Sequence, residues 1–368
     1  FLVAGLVLAV YLAALGHWYR TGHSARDFVF VGHLYLDNHG TRGSESPAID
    51  RGPVGATTPF GFDGQFYYFI ALDPGRAAPY IDDPSYRFQR IAYPMAARAI
   101  VLGQRSLVPD GLVAANLVAI VLGVLAVAGW LVRRGLPPWP AAVWGLYPGQ
   151  VISLERDLAD AFAYGIAAVA VWLRDRSPLG AGVAFGLAGL GRETTLVFPI
   201  VFLLADLWAV RHERQTWPWV RAVSAAVGAL LPFAAWKLFV NHWGLPGTVP
   251  SQDFTLVPFG GLIAGVRHSH TLLITVLLPT VICLGALAWL VSRRTWRKEV
   301  LLLAVSLLAF IVFLDYPVYE WWPSASRASL AVALSAVLVL PLFRRRTWFW
   351  VTGALWLCVI PLWLWHPI

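Results

Sequence analysis

The sequence predicts an all-α fold, a polytopic membrane helix bundle of about eleven transmembrane helices with a large first outer loop. Three observations predict it. Of the 368 residues, 58% are hydrophobic and only 13% are charged, about half the charged share of soluble domains. The apolar residues fall in runs that approach the roughly 20 residues a helix needs to cross hydrocarbon. The basic residues also alternate from turn to turn along the chain, as the positive-inside rule requires. Such a composition excludes a water-soluble enzyme, a disordered chain, a disulfide scaffold and a fibrous repeat.

The expected spans are 1–16, 108–132, 138–153, 158–173, 178–191, 195–210, 219–240, 270–291, 299–314, 328–343 and 347–364. Together they make residues 1–368 one integral membrane domain. Arg133–Arg134, Arg174/Arg176, Arg211/Arg214/Arg221, Arg293/Arg294/Arg297/Lys298 and Arg344–Arg346 lie on alternate turns. These 14 basic residues assign that side to the cytoplasm. The opposite short loops hold only Arg156, Arg192, Arg267 and Arg327. The N-terminus is therefore expected inside, and the end near His366 outside. The net charge of +8 reads as a topology signal and not as a nucleic-acid surface. A first span followed by ten others reads as an uncleaved anchor. Cys283 and Cys358 sit in apolar runs, where a thiol serves as a small core residue.

Residues 17–107 form the first outer loop and hold eight of the 20 acidic residues and four of the nine histidines. Its stretch 38–60 is rich in Gly, Pro and Ser and reads as irregular. GQFYYFIAL, 64–72, reads as a short aromatic helix. After a turn-rich 73–84, SYRFQRIAYPMAARAIVL, 85–102, reads as an amphipathic helix carrying Arg87, Arg90 and Arg98. Two such helices between turns are expected to lie in the membrane interface. A second outer loop, 241–268, is shorter and also rich in Gly and Pro.

Four outer turns collect the ionisable residues, which are costly at membrane depth and normally face a cavity or pair with each other. They are Asp63, Tyr67, Tyr68, Arg87 and Arg90; then Glu155, Arg156, Asp157 and Asp160; then Arg192 and Glu193; then Asp315, Tyr316, Tyr319, Glu320 and Arg327. One shared polar cavity opening outward is expected. Asp63, beside Gly64, is either a general base or the N-cap of helix 64–72. Arg87 and Arg90 share a helix face at i, i+3; their forks suit phosphate oxygens or lipid headgroups. Asp157, Asp160 and Tyr164 share a face at the start of a span, where acids also complement the helix dipole. Arg192 and Arg327 either pair internally or bind a lipid phosphate. Trp321 and Trp322 read as interfacial belt residues, and Asp82–Asp83–Pro84 as a solvated turn. The histidines lack metal-ligand spacing, and no zinc-protease, P-loop, serine-hydrolase or CxxC motif occurs.

Taken together, GFDGQFYYFIALDP and YRFQRIAYP in the first loop, RDLAD from Arg156 to Asp160, and RET from Arg192 to Thr194 resemble motifs of bacterial multi-pass proteins similar to GT-C glycosyltransferases. The loop is also loosely similar to that of GPI-mannosyltransferase-like proteins. The resemblance covers 60–95, 153–164 and 190–199 and the overall topology. It implies transfer of a sugar from a polyprenyl-phosphate donor to a lipid-linked glycan or cell-surface acceptor, on the outer face of a bacterial cytoplasmic membrane. Asp63 would then be the catalytic acid-bearing position. Arg87, Arg90, Arg156, Arg192 and Arg327 would hold the donor phosphate, and Gln65, Tyr67, Tyr68, Asp157 and Glu193 would line the substrate. No cofactor is assigned. A divalent metal stays open, because Gly64 and Gln65 follow Asp63 where many members carry a second acid. The rival readings are a transporter or flippase of lipid-linked glycans, and a glycan polymerase or ligase. Charges gathered at one face favour an enzyme, and a charged path through the membrane favours transport.

Overall fold

A computed structural model describes residues 1–37, 59–213, 217–245 and 254–361. The Gly/Pro/Ser-rich 38–58, with His39, and the C-terminal His366 lie outside the described residues. The described chain is helical, apart from isolated β-bridges between Val31 and Gly61 and between Phe254 and Leu314. Three helices have the length and hydropathy to cross a bilayer unaided: Leu2–Arg20, Arg105–Val132 and His270–Ser292. A fourth candidate is the pair Trp322–Ala328 and Leu330–Leu342, bent by 45°. The remaining expected spans are present as further helices, several of them short, such as Ala159–Leu173 and Pro178–Gly191. The protein is a multi-pass helical membrane protein.

The helices pack in sequence order. Val108–Val132 lies against Ala159–Leu173, which lies against Pro178–Gly191, which lies against Trp217–His242. Close approach depends on small residues: a β-carbon at Gly182 or Gly186 would strike the backbone of Ser224 or Gly228. Four-residue spacing of glycines is how membrane helices bring backbones together without a side-chain layer. Asn116, fully buried, ties this layer to its neighbours. Its amide donates to the carbonyls of Ser153 and Leu158 and to the Tyr93 hydroxyl, and its oxygen accepts from Phe162 N–H. It thereby fixes the 153–160 turn.

Two expectations are corrected. The span 138–153 is two helices, Pro140–Gly145 and Pro148–Glu155. Pro148 forces Tyr147 into extended backbone, with ψ 137°, so the helix cannot run through. Of the two helices expected at the membrane interface, the first is not on a surface, while Ala92–Ile100 keeps one face exposed through Met95, Ala99 and Ile100. Gly64–Leu72 is buried along its whole length and forms the centre of a second apolar core with Tyr80, Phe88 and Tyr93. The second breaks into Pro84–Arg87, a 3-10 turn at Phe88–Arg90, and Ala92–Ile100. Pro94 causes the break, because its ring cannot donate to the carbonyl of Arg90 and clashes with it.

Gly64 has a structural reason. A β-carbon there would overlap the carbonyl oxygen of Arg156, so the first-loop helix abuts the 155–157 backbone directly. It is this backbone, and not a substrate, that approaches Gly64. The Gly64→Ala variant is expected to lose about 1–3 kcal/mol of stability from overpacking against an immovable carbonyl. Gly75→Ala meets only an ordinary contact with Asp73 and should stay within about 0.5 kcal/mol of the parent. Thermal midpoints in detergent check the pair.

Candidate functional site

Asp63 stands at the N-cap position of Gly64–Leu72, but its side chain makes no capping bond. The carboxylate instead turns to two arginines. Oδ1 accepts from Arg87 at 3.0 Å, and Oδ2 lies 3.7 Å from Arg327. About a third of the side chain, 34%, stays exposed. Burial alone would raise this carboxyl, but the Arg87 and Arg327 charges and the Arg87 hydrogen bond outweigh it and hold it well below the usual range.

From Asp63 a chain of ion pairs runs through four segments distant in sequence. Arg87 is held by Asp82 through two bonds of 2.9 and 2.7 Å, so Asp82, exposed as expected of this turn, is also a partner in the cluster. Asp83, next to it, caps the helix by accepting from Tyr86 N–H. Arg327 reaches past Asp63 to Asp160 at 3.2 Å. Asp160, almost fully buried, also faces Arg192 at 3.3 Å. Arg90, fully buried, forms a two-bond pair with Glu193 at 2.9 and 2.6 Å. It also donates to the hydroxyls of Tyr67 and Tyr86. Arg90 and Arg192 therefore exchange the partners that adjacency would suggest: Glu193 pairs with Arg90, and Arg192 with Asp160. Burial raises the Glu193 carboxyl and the Arg90 charge more than reverses this, bringing it down to about 2.

The other expected site residues behave differently. Gln65 is spent internally: its oxygen accepts from Gly32 N–H and its amide donates to the Phe60 carbonyl, clamping the Val31–Gly61 bridge. Tyr67 and Tyr68 are buried in the loop core, and only Tyr67 reaches the cluster, through Arg90. Asp157 sits in the turn at φ +49°, fully buried, with neither oxygen hydrogen-bonded. Burial, reinforced by the Asp110 charge, pushes its carboxyl up. Burial does the same to Glu155, against the pull of Arg156. Among the described residues Arg156 has no carboxylate ion pair; its guanidinium lies 4.1 Å over Phe30 and 5.9 Å from Phe62. Trp321 packs edge-on against Phe62 at 5.5 Å, beside Asp63. Asp315 caps its own helix and Tyr319 donates to the Ile311 carbonyl, so from that turn Arg327 is the residue that joins the cluster.

The sequence marks Lys237 as a charge within a span but does not place it beside the site. Lys237 donates to Gln89 at 3.1 Å while Trp236 donates to the Phe88 carbonyl, docking Trp217–His242 onto the arginine-bearing segment. The signal was available, since Lys237 is one of two lysines in the chain. Among the described residues no three His, Cys, Asp or Glu side chains are grouped to hold a metal. Each oxygen of Asp63 faces a guanidinium, so the carboxylate does not fit a ligand set. No family model, curated protein or solved structure matches the chain.

The Arg90–Glu193 pair gives a pH test. The folded carboxyl is depressed from 4.5 to about 2, so its stabilisation is present above pH about 4.5 and is lost as pH falls toward about 2. Glu193→Gln leaves Arg90 buried and unpaired and should cost about 3–5 kcal/mol at neutral pH. It should also flatten the acid limb of the thermal-midpoint profile. An unchanged acid limb would show that Glu193 does not titrate as the geometry requires.

Proposed function

We propose that the protein is a membrane glycosyltransferase. It moves a sugar from a polyprenyl-phosphate donor to a lipid-linked glycan or cell-surface acceptor. The architecture proposed with it is GT-C-like, with eleven spans in a bacterial cytoplasmic membrane, the N-terminus inside and the site outside. The observation that carries this reading is Asp63: a part-exposed carboxylate, not used as a cap, at the meeting point of arginines from separate segments.

In the proposed reaction an acceptor hydroxyl oxygen attacks the anomeric carbon. The bond from that carbon to the phosphate oxygen breaks, and the phosphate leaves with the electron pair. The acceptor proton passes to Asp63. While bound to Arg87 and Arg327, Asp63 is a weak base. An incoming phosphate competes for those guanidinium groups, and a carboxylate released from them regains basicity. The arginines also stabilise the charge that grows on the leaving phosphate.

Translocation has less support. Asp160 opens the Ala159–Leu173 helix and Arg174, paired with Asp206, follows its end. The two charged clusters are thus separated by about 22 Å of helix. Along it the ionisable side chain is Tyr164, which donates to Thr194. Along this helix the charges sit at the two ends.

Asp63→Asn, folded by size-exclusion chromatography, should lose transfer from a radiolabelled polyprenyl-phosphate sugar panel by about 100-fold or more. Transfer by the parent with undiminished transfer by the variant would remove Asp63 from the reaction. No transfer with any donor, alongside movement of lipid-linked glycan across vesicles, would favour the transporter.

A further inference from the structure

Arg156 differs from every other arginine of the cluster. Arg87, Arg90, Arg192 and Arg327 each meet a carboxylate. Arg156 is only 6% exposed, yet among the described residues it has neither an ion pair nor a side-chain hydrogen bond. Its nitrogens are nevertheless not sealed. The unpartnered atoms cut off from solvent include Arg174 Nε, Arg192 Nε and both Asp157 oxygens, but no atom of Arg156. The face of the guanidinium is covered by Phe30, and its edge nitrogens are unbonded but not fully sealed from solvent. Phe62 stands within 5.9 Å of both Arg156 and Arg327, one residue from Asp63.

A covered face and a free edge suit in-plane, two-bond recognition of an oxyanion. Neither neighbouring acid bonds to it: among the described residues no ion pair joins Glu155 to Arg156, and both Asp157 oxygens are sealed and unbonded; burial pushes both carboxyls up. The count of charges agrees. Five guanidinium groups, those of residues 87, 90, 156, 192 and 327, stand against four pairing carboxylates, those of residues 63, 82, 160 and 193. Among the described residues the guanidinium of the cluster without an ion-pairing carboxylate is that of Arg156.

We propose that Arg156, on its platform of Phe30 and Phe62, is the seat of a lipid-borne phosphate beside Arg327, and that Arg90 and Arg192, paired away from Asp63, hold the shape of the site. Phe60, two residues before Phe62, is 72% exposed, and the aromatic surroundings suit an apolar chain beside the phosphate. This deepens the glycosyltransferase reading and rests on it for the lipid, though not for the anion. It also has a cost built in. A buried guanidinium without a counter-charge destabilises the protein, so an apolar substitute should make the chain more stable and less able to bind.

The test uses the full chain in detergent and follows thermal midpoint against farnesyl phosphate, farnesol and inorganic phosphate. Farnesyl phosphate should stabilise the parent; farnesol and inorganic phosphate at equal concentration should not. Arg156→Met should start about 2–4 °C higher and bind farnesyl phosphate at least about tenfold more weakly. Arg156→Lys, which keeps the charge but not the fork, should bind between the two. An Arg156→Met variant that binds as the parent does would overturn the seat. So would a lower starting midpoint in Arg156→Met, which would make Arg156 a structural residue. Should that variant not fold, parental affinity in Arg156→Lys would overturn the two-bond recognition. Equal stabilisation by inorganic phosphate would overturn the lipid source. Intact phosphate binding with no sugar transfer would count against the glycosyltransferase and leave the seat standing.

Discussion

Asp160 is the constraint on which the charged end of the bundle depends. It is buried, and its two oxygens face arginines from different segments, Arg192 and Arg327. A carboxylate in that position is tolerable only because both cations are present, and each cation only because the carboxylate is. Through Arg327 the same constraint reaches Asp63, and through Asp63 it reaches Arg87 and Asp82. Low local dielectric makes each pairing strong and each loss severe. Segments from residue 63 to residue 327 are thereby held at one end of the bundle by charge balance as well as by apolar packing.

Backbone fit places those charges where they can meet. Gly64 lets the first-loop helix press its start against the 156 carbonyl, which brings Asp63 beside the turn that carries Arg156 and leads to Asp160. Asn116 holds that turn from below with three donated bonds and one accepted. Gln65 pins the strand-like entry to the loop, and Trp236 and Lys237 close the far side. These are neutral or singly charged hydrogen bonds. They position the ion pairs without altering their charge.

What was legible in the sequence follows from which interactions are local. Val108–Val132, Pro178–Gly191 and Gly64–Leu72 match their expected bounds, because an apolar run ended by Pro, Gly or charge is a local signal. The meeting of four turns followed from alternating charge, and the ion pairs bear it out. The identity of each pair was not legible. Glu193 beside Arg192 pairs with Arg90, 103 residues away, and no sequence distance encodes that. Asp63 and Asp83 both precede short helices, but Asp83 caps and Asp63 does not. The difference is that Arg87 lies within reach of Asp63 in space. Burial of Gly64–Leu72 and of Arg87 and Arg90 was missed for a related reason. An aromatic helix and arginines suit a membrane interface, and they suit equally a protein interior that supplies its own carboxylates.

A cluster balanced to the last charge would be a structural staple. This one is not balanced, and the imbalance has a location. Asp157, which could have neutralised Arg156, sits at positive φ with both oxygens buried and unbonded, and burial pushes its carboxyl up. That backbone conformation is uncommon for a residue with a β-carbon. The chain thus holds an acid one residue from an unpaired cation in a geometry that prevents them from meeting. Unpartnered polar groups at adjacent buried residues, beside a part-exposed carboxylate, are features that folding alone does not favour. They concentrate at residues 156 and 157, which adjoin Asp63 through the Gly64 contact.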